Sequence, residues 1–103
     1  MLSNNFNQLI PKSYQLFQNY PNPFNPDTKI MYKLPDEEFV KITIYNMLGH
    51  EVRTLVNEIH GAGLKTIKWN GLDDNNKKLP SGLYLYSLQS GSFRDTKKML
   101  FLK

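Results

Sequence analysis

Val40-Lys41-Ile42-Thr43-Ile44-Tyr45 is the stretch that decides the fold. Val40, Ile42 and Ile44 point one way, and Lys41, Thr43 and Tyr45 the other. Strict period-two alternation with β-branched residues is the pattern of a half-buried strand in an antiparallel sheet. Moving toward the N-terminus, Pro35-Asp36-Glu37-Glu38 is a turn. Before it, residues 29–34 alternate again, with Ile30, Tyr32 and Leu34 against Lys29, Met31 and Lys33. Moving toward the C-terminus, Asn46-Met47-Leu48-Gly49 closes a hairpin, with Gly49 supplying the positive φ of a bulged turn.

The next segment is harder to read. Val52, Leu55 and Val56 suit a strand and a single helical turn about equally, and a strand is expected over residues 51–56. His60-Gly61-Ala62-Gly63 breaks the chain, and residues 64–69 form another strand with Ile67 and Trp69 on its inner face. Residues 71–82 are a polar loop, residues 83–89 a strong strand, and Ser90-Gly91-Ser92 a turn. Residues 93–102 make the last strand, polar at first and ending in Met99-Leu100-Phe101-Leu102. Near the start, residues 14–18 offer a short strand leading into Tyr20-Pro21-Asn22-Pro23-Phe24-Asn25-Pro26. Proline lacks an N–H and fixes φ, so this stretch belongs in an extended, polyproline-like crossing segment rather than a central ladder, with Phe24 plugging one end of the core. Residues 1–13 read as a linker arm and residues 14–103 as the domain. With about seven short strands and a turn every 8–12 residues or so, the expected fold is all-β, an immunoglobulin-like antiparallel β-sandwich.

Bulk properties narrow the function. A chain of 103 residues is one domain with one core and little room for a deep cleft. There is no cysteine, hence no disulfide or thiolate chemistry. The net charge of +4 comes mostly from lysines scattered along the chain, with Arg53 and Arg94 the only arginines. Nucleic-acid binders cluster their bases and favour arginine, so no nucleic-acid partner is expected. No run reaches the roughly 18 apolar residues of a membrane span, so no stable membrane insertion is expected. Residues 1–10 lack the basic and apolar regions of a signal peptide, so any export signal lies elsewhere.

No constellation for catalysis emerges. His50 and His60 fall in expected surface turns without metal-ligand spacing, and no metal or cofactor is expected. Asp73-Asp74-Asn75-Asn76 is the best candidate for an ion loop, but it lacks the mid-loop glycine and terminal glutamate of a calcium loop. It reads better as a tight loop held by Asx turns. Ser81 sits in Leu79-Pro80-Ser81-Gly82, which is not a nucleophile elbow. Tyr32, Tyr45, Trp69, Tyr84 and Tyr86 could build a sugar-binding platform; Tyr84 and Tyr86 share a face with Leu88 and read as core, leaving Tyr45 the ring most open to solvent. The chain is expected not to be an enzyme.

Phe17-Gln18-Asn19-Tyr20-Pro21-Asn22-Pro23-Phe24-Asn25-Pro26, followed by Thr28, Ile30, Tyr32, Leu34 and Pro35, resembles the opening of the type A C-terminal sorting domains of the type IX secretion system. The resemblance continues through residues 40–46, Leu48-Gly49, Leu55-Val56, Gly61-Ala62-Gly63, Trp69-Asn70-Gly71, Asp74, Leu79-Pro80-Ser81-Gly82-Leu83-Tyr84 and residues 98–103. Asn70 departs from it, standing where the family often has an acidic residue. The immunoglobulin-like domain of the flagellar hook-capping protein shares the proline-rich and Pro-Ser-Gly-x-Tyr features, which makes a structural or carbohydrate-binding module of a surface or flagellar assembly the alternative. A chain that ends at Lys103 directly after an apolar strand favours sorting.

The resemblance implies a C-terminal address on a larger cargo protein, secreted or displayed at the cell surface after passing through the periplasm. The type IX translocon and its shuttle protein recognise the folded domain. A sortase-like enzyme then removes it, with cleavage expected in or before residues 4–13. The expected recognition element is the last strand and its tail: Lys97, Lys98, Met99, Leu100, Phe101, Leu102 and Lys103. An edge strand would offer unpaired backbone to a receptor, and Lys97, Lys98 and Lys103 would steer it to an acidic surface. The alternative for the strand itself is that it is core. The prolines of residues 20–26 are expected to protect the other edge.

Overall fold

In a computed structural model, which describes residues 10–103, the alternation of residues 40–45 becomes burial. Val40, Ile42 and Ile44 of β3 (Glu38–Asn46) are fully buried between two sheets. Residues 1–9 of the expected linker arm lie outside the described residues. The three-stranded sheet has the order β1 (Gln15–Leu16), β2 (Thr28–Leu34), β5 (Gly63–Trp69). The four-stranded sheet has the order β4 (Glu51–His60), β3, β6 (Gly82–Ser90), β7 (Phe93–Phe101), and every pairing is antiparallel. The expected sandwich is therefore present, with seven strands. Its core takes Ile30, Tyr32 and Leu34 from one sheet and Val40, Ile42, Ile44, Tyr84, Tyr86 and Leu88 from the other.

β4 explains its own ambiguity. Its pairing with β3 slips between Ile42 and Thr43 and again between Ile44 and Tyr45, so Leu55 and Val52 are left over as bulge residues. Each bulge shifts the side-chain phase by one residue. Val52, Leu55 and Val56 thereby acquire a helix-like spacing although the chain is extended. β4 also runs four residues beyond its expected end at Val56, through Asn57, Glu58, Ile59 and His60. His60 is thus not in a surface turn: it ends the strand half-buried, its Nδ1 2.6 Å from the Tyr32 hydroxyl and its Nε2 2.9 Å from Glu58 Oε2. His50 is exposed beside the turn, as expected.

The proline-rich segment follows a bent course rather than a uniformly extended one. It first continues along β2, where Tyr20 and Lys29 exchange both backbone hydrogen bonds at 2.9 Å. After bends at residues 21–23 it reaches the opposite sheet at Phe24. Proline offers no N–H, so side chains secure the crossing. Buried Asn19 donates from Nδ2 to Thr28 Oγ1 at 2.9 Å, and its backbone N–H donates to the Tyr86 hydroxyl at 2.8 Å. The Tyr86 hydroxyl donates in turn to the Phe17 carbonyl at 2.7 Å.

Tyr86→Phe removes this relay and leaves a buried N–H and a carbonyl without partners. The expected loss is about 2 kcal/mol by urea denaturation. Its pH dependence is also fixed in sign. Burial pushes the Tyr86 hydroxyl from 10.0 to about 12, and burial assisted by the Glu58 charge does the same for Tyr32. The folded chain holds these protons where the unfolded chain releases them, so the stability is full below pH 10.0 and is lost as pH rises through about 12. Tyr86→Phe should flatten this alkaline decline.

Candidate functional site

At one end of the sandwich four aromatic rings from four distant segments meet. Phe24 stacks on Phe101 with centroids 4.9 Å apart and interplanar angle 10°. Trp69 meets Phe24 at 5.6 Å and Tyr84 edge-on at 5.7 Å. The polar atoms of these rings are also satisfied: Trp69 Nε1 donates to the Leu72 carbonyl at 2.9 Å and the Tyr84 hydroxyl to the Pro80 carbonyl at 2.7 Å. Burial raises the Tyr84 hydroxyl above its ordinary value. Each ring belongs to one stretch singled out in the sequence: the proline-rich opening, Trp69-Asn70-Gly71, Leu79-Pro80-Ser81-Gly82-Leu83-Tyr84, and the last strand. Gly71 makes the meeting possible, since its φ is +78° and an added Cβ would lie 2.7 Å from Phe101 Cζ.

The polar loop folds back on this end. Asp73 Oδ1 accepts from the N–H groups of Asn75 and Lys77, at 2.8 and 2.9 Å, which is the expected Asx-stabilised loop. Asp74 then pairs with the outer edge of β4. Its N–H donates to the Val52 carbonyl, and its Oδ1 accepts from the Thr54 N–H, both at 3.0 Å. A cleft of about 330 Å³ lies beside the aromatic cluster, lined by Asn25, Asn70, Leu72, Lys78, Phe101 and Lys103 among others.

The end of β7 corrects the expectation of unpaired backbone. The Phe24 N–H donates to the Leu100 carbonyl at 3.0 Å and the Leu102 N–H donates to the Phe24 carbonyl at 3.1 Å. Asn22 Oδ1 accepts from the Leu100 N–H at 2.9 Å, and Gln18 Nε2 donates to the Lys98 carbonyl at 2.6 Å. The proline-rich segment thus covers the edge of the last strand itself, where it had been expected to protect another. Of the expected recognition residues, Met99 and Phe101 are buried in the core. Lys97 and Leu100 are half-buried, while Lys98, Leu102 and Lys103 are exposed. The Lys103 N–H donates to Ser81 Oγ at 2.9 Å, which ties the tail to the Pro80-Ser81-Gly82 turn. Gln18 and Asn22 were missed as edge-covering groups. The only signal was for Asn22, an amide side chain between Pro21 and Pro23; nothing local marked Gln18.

The aromatic platform does not form. Tyr32, Trp69, Tyr84 and Tyr86 are all buried in the core, and Tyr45 is half-buried on the outer face of the four-stranded sheet. Among the described residues, no group of three or more His, Cys, Asp or Glu side chains is placed to hold a metal.

No curated protein matches the chain. Among solved structures it is similar to dimeric latent PorU from Porphyromonas gingivalis, with a TM-score of 0.69 and 19% identity over 87% of this chain and 9% of that one. FlgD from P. aeruginosa gives 0.58 and 23% over 72% of this chain and 58% of that one. PorZ, an essential bacterial surface component of the type IX secretion system of P. gingivalis, gives 0.58 and 15% over 89% and 12%. The chain thus spans less than two-thirds of each of these proteins, and at such identities the likeness is one of fold. The sequence model of the secretion system C-terminal sorting domain matches residues 18–102. That match takes in the crossing segment, most of both sheets and the last strand, and the chain belongs to the secretion system C-terminal sorting domain family.

Proposed function

We propose that this type IX sorting signal acts as a folded address, recognised by the translocon and its shuttle protein and then removed by a sortase-like enzyme. Residues 14–103 form the address, and residues 1–13 link it to the cargo and contain or follow the cleavage point. The domain itself is not catalytic, and its cargo passes through the periplasm on the way out. The observation that carries this reading is the convergence of the family's separated motifs on one end of the sandwich. There the aromatic cluster fixes the tail, and Lys98 and Lys103 remain free to meet an acidic partner.

The test is a fusion of a signal peptide, a fluorescent reporter and the complete 103-residue chain, produced in a host that carries the type IX system. The reporter should reach the cell surface or medium, and its new C-terminus should fall in or before residues 4–13. Lys98→Glu combined with Lys103→Glu should lower delivery several-fold with the thermal midpoint unchanged, because both side chains are exposed. Truncating residues 97–103 is a poorer test, since it strips Met99 and Phe101 from the core. Retention of the intact fusion in the periplasm would refute the reading.

A further inference from the structure

The outer face of the four-stranded sheet is divided along its length. In its first half the register aligns Lys41, Gln89 and Arg94 in one row and Thr43, Ser87 and Thr96 in the next. In its second half Tyr45 lies opposite Leu85, and Leu83 lies opposite Leu100. Leu102 follows Leu100 on the same side, held extended by its bond to Phe24. Leu48, in the turn that adjoins this half, is 81% exposed, and Leu83 and Leu102 are each 46% exposed. Directly opposite and diagonal side chains on one sheet face are within reach of one another, so Tyr45, Leu85, Leu83, Leu100 and Leu102 form a continuous surface, with Leu48 exposed in the turn at its end.

The water-facing side of a sandwich normally reads polar, as the first half does. Scattered apolar residues need no explanation, but a contiguous patch marks an interaction site. Among the described residues, the exposed apolar residues elsewhere on this face amount to one cross-strand pair, Phe39 opposite Ile59. The patch, by contrast, lies over the end of the domain where the aromatic cluster sits.

We infer that this half-face, centred on Leu83 and Leu100 and reaching Tyr45, Leu48 and Leu102, docks a partner protein whose surface is apolar at its centre and acidic around it. The acidic character follows from the charges the register places on the face: Lys41, Arg94 and Lys98, against Glu51 opposite Tyr45. Among the described residues Glu51 is the one carboxylate the register places on this face, so a second copy would offer these cations little opposite charge, which disfavours it as the occupant. The inference rests on the sorting function proposed above and changes how recognition works there. The backbone edge at the end of β7 is occupied by Gln18, Asn22 and Phe24, so the partner reads side chains on the sheet face rather than adding a strand.

The experiment uses the same reporter fusion with the full chain. Leu48→Ser with Leu83→Ser should lower delivery by roughly ten-fold or more, as when an interface loses its central anchors. The thermal midpoint and the circular dichroism spectrum should stay close to those of the unaltered domain. Phe39→Ser with Ile59→Ser, the same chemical change at the other end of the same face, should leave delivery intact. Normal delivery by the Leu48/Leu83 variant, or equal loss in both variants, would overturn the inference and leave the sorting function standing. A dimer of the unaltered chain that the Leu48/Leu83 variant converts to monomer would overturn it too, by making a second copy the occupant. Failure of the unaltered fusion to be delivered would remove the sorting function, and the inference with it.

Discussion

Trp69→Ala is expected to destabilise the domain by about 4 kcal/mol, a fall in thermal midpoint on the order of 20 °C. Trp69 is 1% exposed and touches three further rings, Phe24, Tyr84 and Phe101, each from a different part of the chain. Removing it opens a cavity at the place where the crossing segment, the loop before β6 and the end of β7 are joined. The Leu72 carbonyl loses its donor as well. The surroundings cannot collapse to fill the space, because Phe24 and Phe101 are held by backbone hydrogen bonds between residues 24, 100 and 102. Far-ultraviolet circular dichroism is the right probe, since Trp69 is the only tryptophan. Trp69→Phe keeps most of the ring volume and loses chiefly the N–H, and should cost about 1–2 kcal/mol. A shift for Trp69→Ala no larger than that for Trp69→Phe would show that the cluster is not the keystone of this end.

Gly71→Ala is expected to cost about 3 kcal/mol, from two sources that a second glycine separates. At φ +78° a side chain brings backbone strain of about 1–2 kcal/mol. The new Cβ would also lie 2.7 and 2.9 Å from the ring of Phe101, which is pinned between Phe24 and Trp69 and cannot move aside. Overpacking of that kind adds about 1–3 kcal/mol. Gly49, in the β3–β4 turn, has φ +86° and nothing within 4 Å of the added Cβ. Gly49→Ala should therefore show the strain alone, about 1–2 kcal/mol. Equal losses at the two sites by urea denaturation would mean that the Phe101 ring yields, and that the aromatic end is looser than its geometry indicates.

Residues 29–34, 40–45 and 83–89 announced their strands and inner faces because alternation is written residue by residue, and burial of alternate side chains is all that it requires. The hairpin at Gly49 and the Asx loop at Asp73 were legible for the same reason: each is closed by neighbours within four residues. The proline-rich opening announced that it could not sit in a central ladder, since proline has no N–H to give. The sequence was silent on where that segment would go instead. The bonds that answer the question join Gln18 to Lys98, 80 residues apart, and Asn22 to Leu100, 78 apart. No local period encodes such a pairing.

The same limit applies to β4, whose bulges depend on the register imposed by β3, and to His60, whose partner Tyr32 lies 28 residues away on the other sheet. It applies most of all to the outer face. Tyr45, Leu83, Leu85 and Leu100 lie on three strands, and each alone is an unremarkable half-exposed residue. By itself the sequence determined the regularly alternating strands, their inner faces and the family to which they belong. Only the tertiary structure decided which edge the prolines cover and which apolar residues are brought together on the surface. Both are outcomes of long-range pairing between strands, which alternation along a single strand cannot specify.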